Sequence, residues 1–226
     1  MIKVHHLNNS RSQRVLWMLE ELGLDYEVIR YERDARSMLA PAALRAVHPL
    51  GKSPVIEDGG PVLAESAAIL EYLIERYDGD HHFSPPPGPF DTSERRRYRY
   101  WLHYAEGSAM PPLLMSLVFS RLKQAPMPFF VRPIARGIAD KALTGYVGPQ
   151  VKLHMDYWED ELGKHEWFAG ERFTAADIQM SFPIEAAAQR AGDAARPRLR
   201  AFLERIHARP AYQRALERGG PFELMR

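Results

Sequence analysis

The chain has no cysteine among its 226 residues. That excludes a disulfide scaffold, a Cys-ligated metal site and a cysteine nucleophile. Charge of one sign is missing too: 30 basic residues stand against 29 acidic ones, a net of +1. Such a balance gives no footprint for nucleic acid or an anionic membrane as main partner. No apolar run approaches the ~20 residues of a membrane span. The opening run Ile2-Lys3-Val4-His5-His6-Leu7 lacks the basic and apolar regions of a signal peptide. A cytoplasmic enzyme or binding protein is therefore expected. No G-x-G-x-x-G, P-loop or G-x-S-x-G pattern occurs, and the nine His fall at no metal-ligand spacing.

What is present is ordinary for a folded chain: 46% hydrophobic and 26% charged residues. The length allows one large or two small domains. Ile2 to Leu7 reads as a strand. From Arg11 the apolar period becomes helical (Val15, Met18, Leu19, Leu22) and Gly23 stands where a C-terminal cap belongs. Tyr26 to Tyr31 is a second strand, so the start is a βαβ unit with a parallel pair. A short helix is expected within 32–50. Pro54–Glu57 and Pro61–Ala64, joined by Asp58-Gly59-Gly60, form a hairpin, and a helix runs from Ser66 to Arg76.

The Pro-rich stretch over 81–91 is a linker between an α/β domain, 1–80, and a helical domain, 92–226. In the second domain, 93–123 is expected as one long helix bent near Met110-Pro111-Pro112, and 134–164 as another bent at Gly148-Pro149. Thr174-Ala175-Ala176-Asp177 is an S/T-x-x-D cap, with Phe173 and Ile178 at staple positions. Two final helices, 198–208 and 211–218, are split by Pro210.

Several residues carry chemistry. Ser10 opens the first helix; it is an N-cap completed by Gln13, or a hydroxyl donor to a thiolate. Ser12 offers a second hydroxyl and Arg11 a positive potential. Ser53-Pro54 is a candidate cis peptide that would leave Val55 to pair with a ligand backbone. Glu65-Ser66 lies at a helix N-terminus and suits a free amino-acid head group: Ser66 for its carboxylate, Glu65 for its ammonium. Lys52 could bind a second carboxylate at the ligand's other end.

These residues place the chain in resemblance to a family. Ser10-x-x-x-Arg14-Val15, Pro49-Leu50-Gly51-Lys52-Ser53-Pro54-Val55, Leu63-x-Glu65-Ser66-x-x-Ile69, and Phe168-Ala169-Gly170 through Thr174-Ala175-Ala176-Asp177 occur in order along essentially the whole chain. In this the chain resembles the cytosolic glutathione transferases. Ser10, with neither the Tyr nor the Cys of other classes beside it, makes it similar to the serine-type, theta-like enzymes of bacteria and fungi. His48 stands where an Asn is common.

The resemblance implies a thioredoxin-like N-terminal domain (α/β) followed by an all-α domain, a homodimer, and an active site between domains. It implies glutathione as co-substrate and a hydrophobic electrophile as second substrate, with no metal. It implies that Ser10, or else Ser12, activates the thiol. Lys52 would contact the glycine carboxylate, with Ser53 also binding glutathione, Val55 at the cysteinyl backbone after a structural cis-Pro54, and Glu65 and Ser66 at the γ-glutamyl end. The Thr174 box would be structural. The second-substrate site is expected from Arg11, Tyr104, Glu106, Met110, Leu114 and Phe119. The implied function is conjugation in detoxification. The alternatives are a glutathione-dependent peroxidase or isomerase, or a non-catalytic docking protein of the same fold.

Overall fold

The computed structural model describes residues 1–34, 37–89, 92–191, 196–220 and 222. The expected linker at residues 90–91 and the expected helical domain at 192–195, 221 and 223–226 lie outside the described residues. The chain opens with β1 (Ile2–Leu7), α1 (Ser12–Glu21), β2 (Tyr26–Tyr31), α2 (Ala42–Val47), β3 (Val55–Glu57), β4 (Val62–Ala64) and α3 (Ser66–Tyr77). The sheet order is β2-β1-β3-β4. The α1 crossover returns the chain in the same direction, so β1 and β2 are parallel, with Ile2 opposite Tyr26. β3 runs antiparallel to β1 and to β4. The turn between β3 and β4 uses Gly59 at φ +66°, a conformation that costs glycine little. This is the expected small α/β domain.

The helical domain follows: α4 (Ser93–Tyr104), α5 (Met110–Gln124), α6 (Arg132–Ala142), α7 (Gly148–Glu161), α8 (Ala175–Ala191), α9 (Pro197–His207) and α10 (Pro210–Gly219). The two expected long helices are each divided by a π-helical turn, over Ala105–Ala109 and Leu143–Val147. Each turn immediately precedes a proline near the start of the next helix, Pro111-Pro112 or Pro149. A proline has no N–H for the carbonyl one turn back, so the ladder widens there instead of closing. The second of these helices also starts earlier than expected, at Arg132 with Pro133 in its first turn.

At the start of α8, Thr174 and Asp177 form only one arm of the expected reciprocal box. Asp177 accepts from Thr174 N–H at 2.8 Å, from its hydroxyl at 3.2 Å and from Phe168 N–H at 2.9 Å. Its side chain is fully buried, and burial pushes its pKa up to about 7 against those hydrogen bonds.

One core serves both domains. α1 is buried on every side, with Val15, Leu16, Trp17, Met18 and Leu19 all inaccessible. It packs on the sheet, on α3, and on α8 and α10 of the second domain. Trp17 meets Tyr212 edge-on at 5.1 Å and Phe173 at 5.6 Å. Ion pairs bind α10 to the end of α1, Arg209 to Glu21 at 2.9 Å and Arg214 to Glu20 at 2.7 Å. α1 is thereby packed between the sheet, α3, α8 and α10.

Candidate active site

Ser10 lies in the turn between β1 and α1. It is 4% exposed and lines a cleft of ≈ 390 Å³ between the two domains. It does not cap the helix as expected. α1 starts at Ser12 with Arg11 as N-cap and no side-chain capping bond. The Ser10 oxygen is taken from behind by Ser12, whose N–H donates to it at 3.3 Å and whose hydroxyl lies 2.8 Å away. Gln13 donates its N–H to the Ser10 carbonyl instead.

Ser12 itself is 0% exposed and does not line the cleft, which corrects the reading of it as an alternative contact to a thiol. Its Oγ lies 2.8 Å from Nδ1 of His6, a residue the sequence reading passed over. Burial, and then Arg30, lower the His6 pKa to about 4 although the Gly219 backbone opposes them, so the ring is neutral. A line of hydrogen-bonding groups thus runs from His6 through Ser12 to Ser10, and on to Ser53 Oγ at 3.4 Å.

The loop before β3 forms the cleft's next wall. Gly51 (φ +56°) is needed there, because a Cβ would sit 2.5 Å from the Arg45 side chain. Lys52 and Ser53 both line the cleft, and the Ser53–Pro54 bond is cis. Ser53 Oγ donates to the His5 carbonyl at 2.9 Å and accepts from Leu7 N–H at 3.3 Å, which pins the loop to β1. Its own N–H and C=O make no backbone hydrogen bond among the described residues. Val55 is different. It is 0% exposed and paired on both sides, with His5 of β1 and Ala64 of β4. A central strand residue has no spare backbone edge, so the expectation for Val55 is corrected to Ser53.

The cleft continues into a second recess of ≈ 210 Å³, shared through Arg11, Lys52 and Ser53 and also lined by Pro54, Glu65, Ser66 and Glu106. Glu65 has φ +73° and ψ +118°, a conformation costing a non-glycine residue ~1–3 kcal/mol. Its carboxylate makes no capping bond to α3. Ser66 Oγ accepts from Arg14 Nη1 at 3.1 Å and from Gln179 Nε2 at 3.1 Å. With both lone pairs used, the hydroxyl has only its proton left to offer, and an anion is its natural partner.

Arg14 is 1% exposed, and Glu106 Oε1 accepts from it at 2.8 Å and from Arg11 Nε at 2.8 Å. Burial lowers the Arg14 pKa to about 10, with Glu106 opposing, so it stays a cation. Burial pushes Glu106 up, but Arg14 and Arg11 outweigh it and the net shift is downward. Glu106 sits in the first π-helical turn, a common placement for functional side chains. Arg14 stood in the sequence as a pattern residue without a role, and Gln179 was missed. The available signal was a lone charge or amide beside an apolar pair, Val15-Leu16 and Ile178.

The apolar wall comes from Met110, Leu113, Leu114 and Leu117 of α5, at helical spacing, and from Phe182 and Ala186 of α8. Met110 and Leu114 were expected; the other four were not. Two expected members are elsewhere. Tyr104 is buried toward α7, where its hydroxyl meets His154 Nδ1 and accepts from Trp158 Nε1 at 3.2 Å. Phe119 packs on the core and does not line the cleft. Five residues past Leu114, it points about 140° around the helix from that face. A separate cavity of ≈ 370 Å³ between α3 and α4 contains none of the residues singled out from the sequence.

Comparison with known proteins agrees with this architecture. Residues 10–76 match the family model "Glutathione S-transferase, N-terminal domain" and residues 118–210 the model "Glutathione S-transferase, C-terminal domain". The chain is 44% identical over 188 residues to glutathione S-transferase 3 of Schizosaccharomyces pombe, covering 83% of this chain and 74% of that one. It is 35% identical over 227 residues to glutathione S-transferase 1 of Saccharomyces cerevisiae, covering 96% and 95%. It is also 30% identical over 216 residues to a maleylacetoacetate isomerase of Pseudomonas aeruginosa, covering 93% and 92%. Among solved structures, a glutathione S-transferase from Actinobacillus pleuropneumoniae superposes with a TM-score of 0.81 at 35% identity, covering 99% and 95%. A glutathione transferase homolog from Lodderomyces elongisporus, with two GSH per subunit, gives 0.72 at 25% identity, covering 96% and 97%.

Proposed function

The chain belongs to the glutathione S-transferase family, and from that premise we propose that it transfers the glutathione thiolate to an electrophilic carbon of a hydrophobic small molecule. One juxtaposition carries the reading. The Ser66 proton, the Ser53 backbone, the Ser10 hydroxyl and the Lys52 ammonium line one continuous cleft. That order suits an extended tripeptide held head to tail. Ser66 binds the γ-glutamyl carboxylate and Glu65 the α-ammonium. The Ser53 N–H and C=O pair with the cysteinyl backbone, one residue earlier than Val55. Lys52 meets the glycyl carboxylate. The homolog with two GSH per subunit supports such a ligand.

A thiol of pKa near 8.5 is only a few per cent ionised at neutral pH. Lowering it by ~2 units takes about 2.7 kcal/mol. Ser10 supplies part of that as hydrogen-bond donor to the anion, and Arg11 adds positive potential. In this state Ser12 donates its N–H to Ser10 Oγ. The Ser12 hydroxyl turns its proton to His6 Nδ1, the unprotonated nitrogen of a neutral ring whose N–H faces the Gly219 backbone, and the Ser10 proton is then directed to sulfur. In a substitution the thiol proton leaves to solvent, the C–S bond forms, and the leaving group departs with the electrons of its own bond.

The identity with an isomerase favours a second reading, in which the same thiolate adds to an alkene carbon and is expelled after rotation. The reading extends to a cytoplasmic homodimer in detoxification, with its domain boundary inside 81–91; gel filtration checks the dimer and limited proteolysis the boundary.

The direct experiment is calorimetric titration with glutathione, followed by turnover of an aryl halide and of a cis-enedione. Binding with aryl halide turnover is expected. Turnover of the enedione alone favours the isomerase. Binding with no turnover of either favours the non-catalytic docking protein.

A further inference from the structure

The cleft beyond Ser10 is apolar on two walls, yet the charges among them are all of one sign. Arg11, Arg33, Lys52 and Arg190 line it, and no carboxylate does so among the described residues. Arg11 shares Glu106 with Arg14, so one acid faces two guanidinium groups. Among the described residues the Arg33 guanidinium donates to neutral carbonyls, Asn8 O at 3.3 Å and Met38 O at 3.2 Å. Arg190 is half-buried and makes no hydrogen bond or ion pair among the described residues. It stands one helical turn beyond Ala186 and two beyond Phe182, so it continues the apolar face of α8 into the same cleft.

Burial lowers the pKa of Arg33, and Arg11 and Arg121 add to it. Burial and then Arg121 do the same to Arg190. Arg11, Arg33 and Arg190 repel one another across the cleft, and among the described residues no carboxylate lines it between them. In a confined apolar cleft a single-sign cluster of this kind focuses potential on whatever anion enters. Glutathione, read as above, occupies Ser66, Ser53 and Lys52, and leaves Arg33 and Arg190 beside the apolar wall.

We propose that the second substrate is an anionic electrophile: an apolar body seated on Leu114, Leu117 and Phe182, bearing a carboxylate or similar oxyanion that Arg190 and Arg33 bind. This rests on the transferase reading and specifies its substrate class. Arginine suits the role because its planar fork pairs with a carboxylate through two parallel hydrogen bonds. The reaction is unchanged: sulfur bonds to the carbon bearing the leaving group, whose bond breaks.

The test compares a chloronitrobenzoate with the corresponding chloronitrobenzamide, each rate divided by its uncatalysed rate with glutathione. The benzoate is expected to have the lower KM by about tenfold. The advantage should shrink in 0.5 M salt, where screening acts over only a few ångströms. In Arg190→Gln the benzoate-to-amide preference should fall at least about fivefold, with the glutathione Kd unchanged; Arg33→Gln, measured alongside, should act in the same direction. A benzoate that binds no better than the amide overturns the proposal, as does a preference untouched in both variants. A loss of glutathione affinity in Arg190→Gln also overturns it, because that residue then serves the first substrate. Turnover of the amide in any of these outcomes leaves the transferase reading standing; turnover of neither compound ends both.

Discussion

Glu106→Gln isolates one charge at the point where the two domains meet. Glu106 is the carboxylate 2.8 Å from both Arg11 and the buried Arg14, whose Nε and Nη2 find no hydrogen-bond partner among the described residues. The substitution keeps the shape and one acceptor but leaves Arg14 charged and unpaired. Removing one member of a buried pair costs ~3–5 kcal/mol. Glu106 is 31% exposed, so water softens the loss, and about 2–3 kcal/mol is expected. For a chain of this size that corresponds to a fall in Tm of ~4–12 °C. The effect carries a pH signature. The folded Glu106 pKa lies below its ordinary 4.5, so the stabilisation is complete above 4.5 and is lost as pH falls through the folded value. Thermal unfolding followed by circular dichroism from neutral pH into acid measures both features. A variant melting within about 1 °C of wild type near pH 7 would refute the reasoning. So would a gap between the two that stays constant into acid.

Other substitutions separate binding from folding. Ser66→Ala removes a hydrogen bond to a carboxylate of ~1.5–3 kcal/mol, so glutathione Kd should rise about 10- to 100-fold by calorimetry with kcat at saturation little changed. Lys52→Ala should weaken glutathione only about 3- to 10-fold, because the residue is exposed, and the difference should vanish in high salt. Asp177→Ala strips acceptors from two buried N–H groups and should cost ~3–5 kcal/mol in denaturant unfolding, while the folded protein binds glutathione as wild type does.

The sheet, the hairpin and the capped start of α8 were legible because each is encoded locally: alternation, a Gly-Gly turn, an S/T-x-x-D cap. The hand-over from Val55 to Ser53 was not, since it depends on β3 being paired along both edges. Ser12 and Ser10 look equivalent in sequence; only the turn out of β1 puts one on the cleft and the other behind it, against His6. The π-helical turn rotates α5, so that Leu113 and Leu117 line the cleft while Tyr104 turns to α7. Arg14 of α1 and Gln179 and Arg190 of α8 reach the site from helices far apart in the chain, and no spacing rule connects α1 with α8.

The central claim is that the Ser10 proton stabilises the thiolate. Steady-state turnover of an aryl halide by Ser10→Ala, with glutathione affinity measured separately, tests it most directly. The account predicts a kcat lower by about 10- to 100-fold with a Kd within about twofold of wild type. Wild-type kcat in a folded Ser10→Ala protein would contradict it.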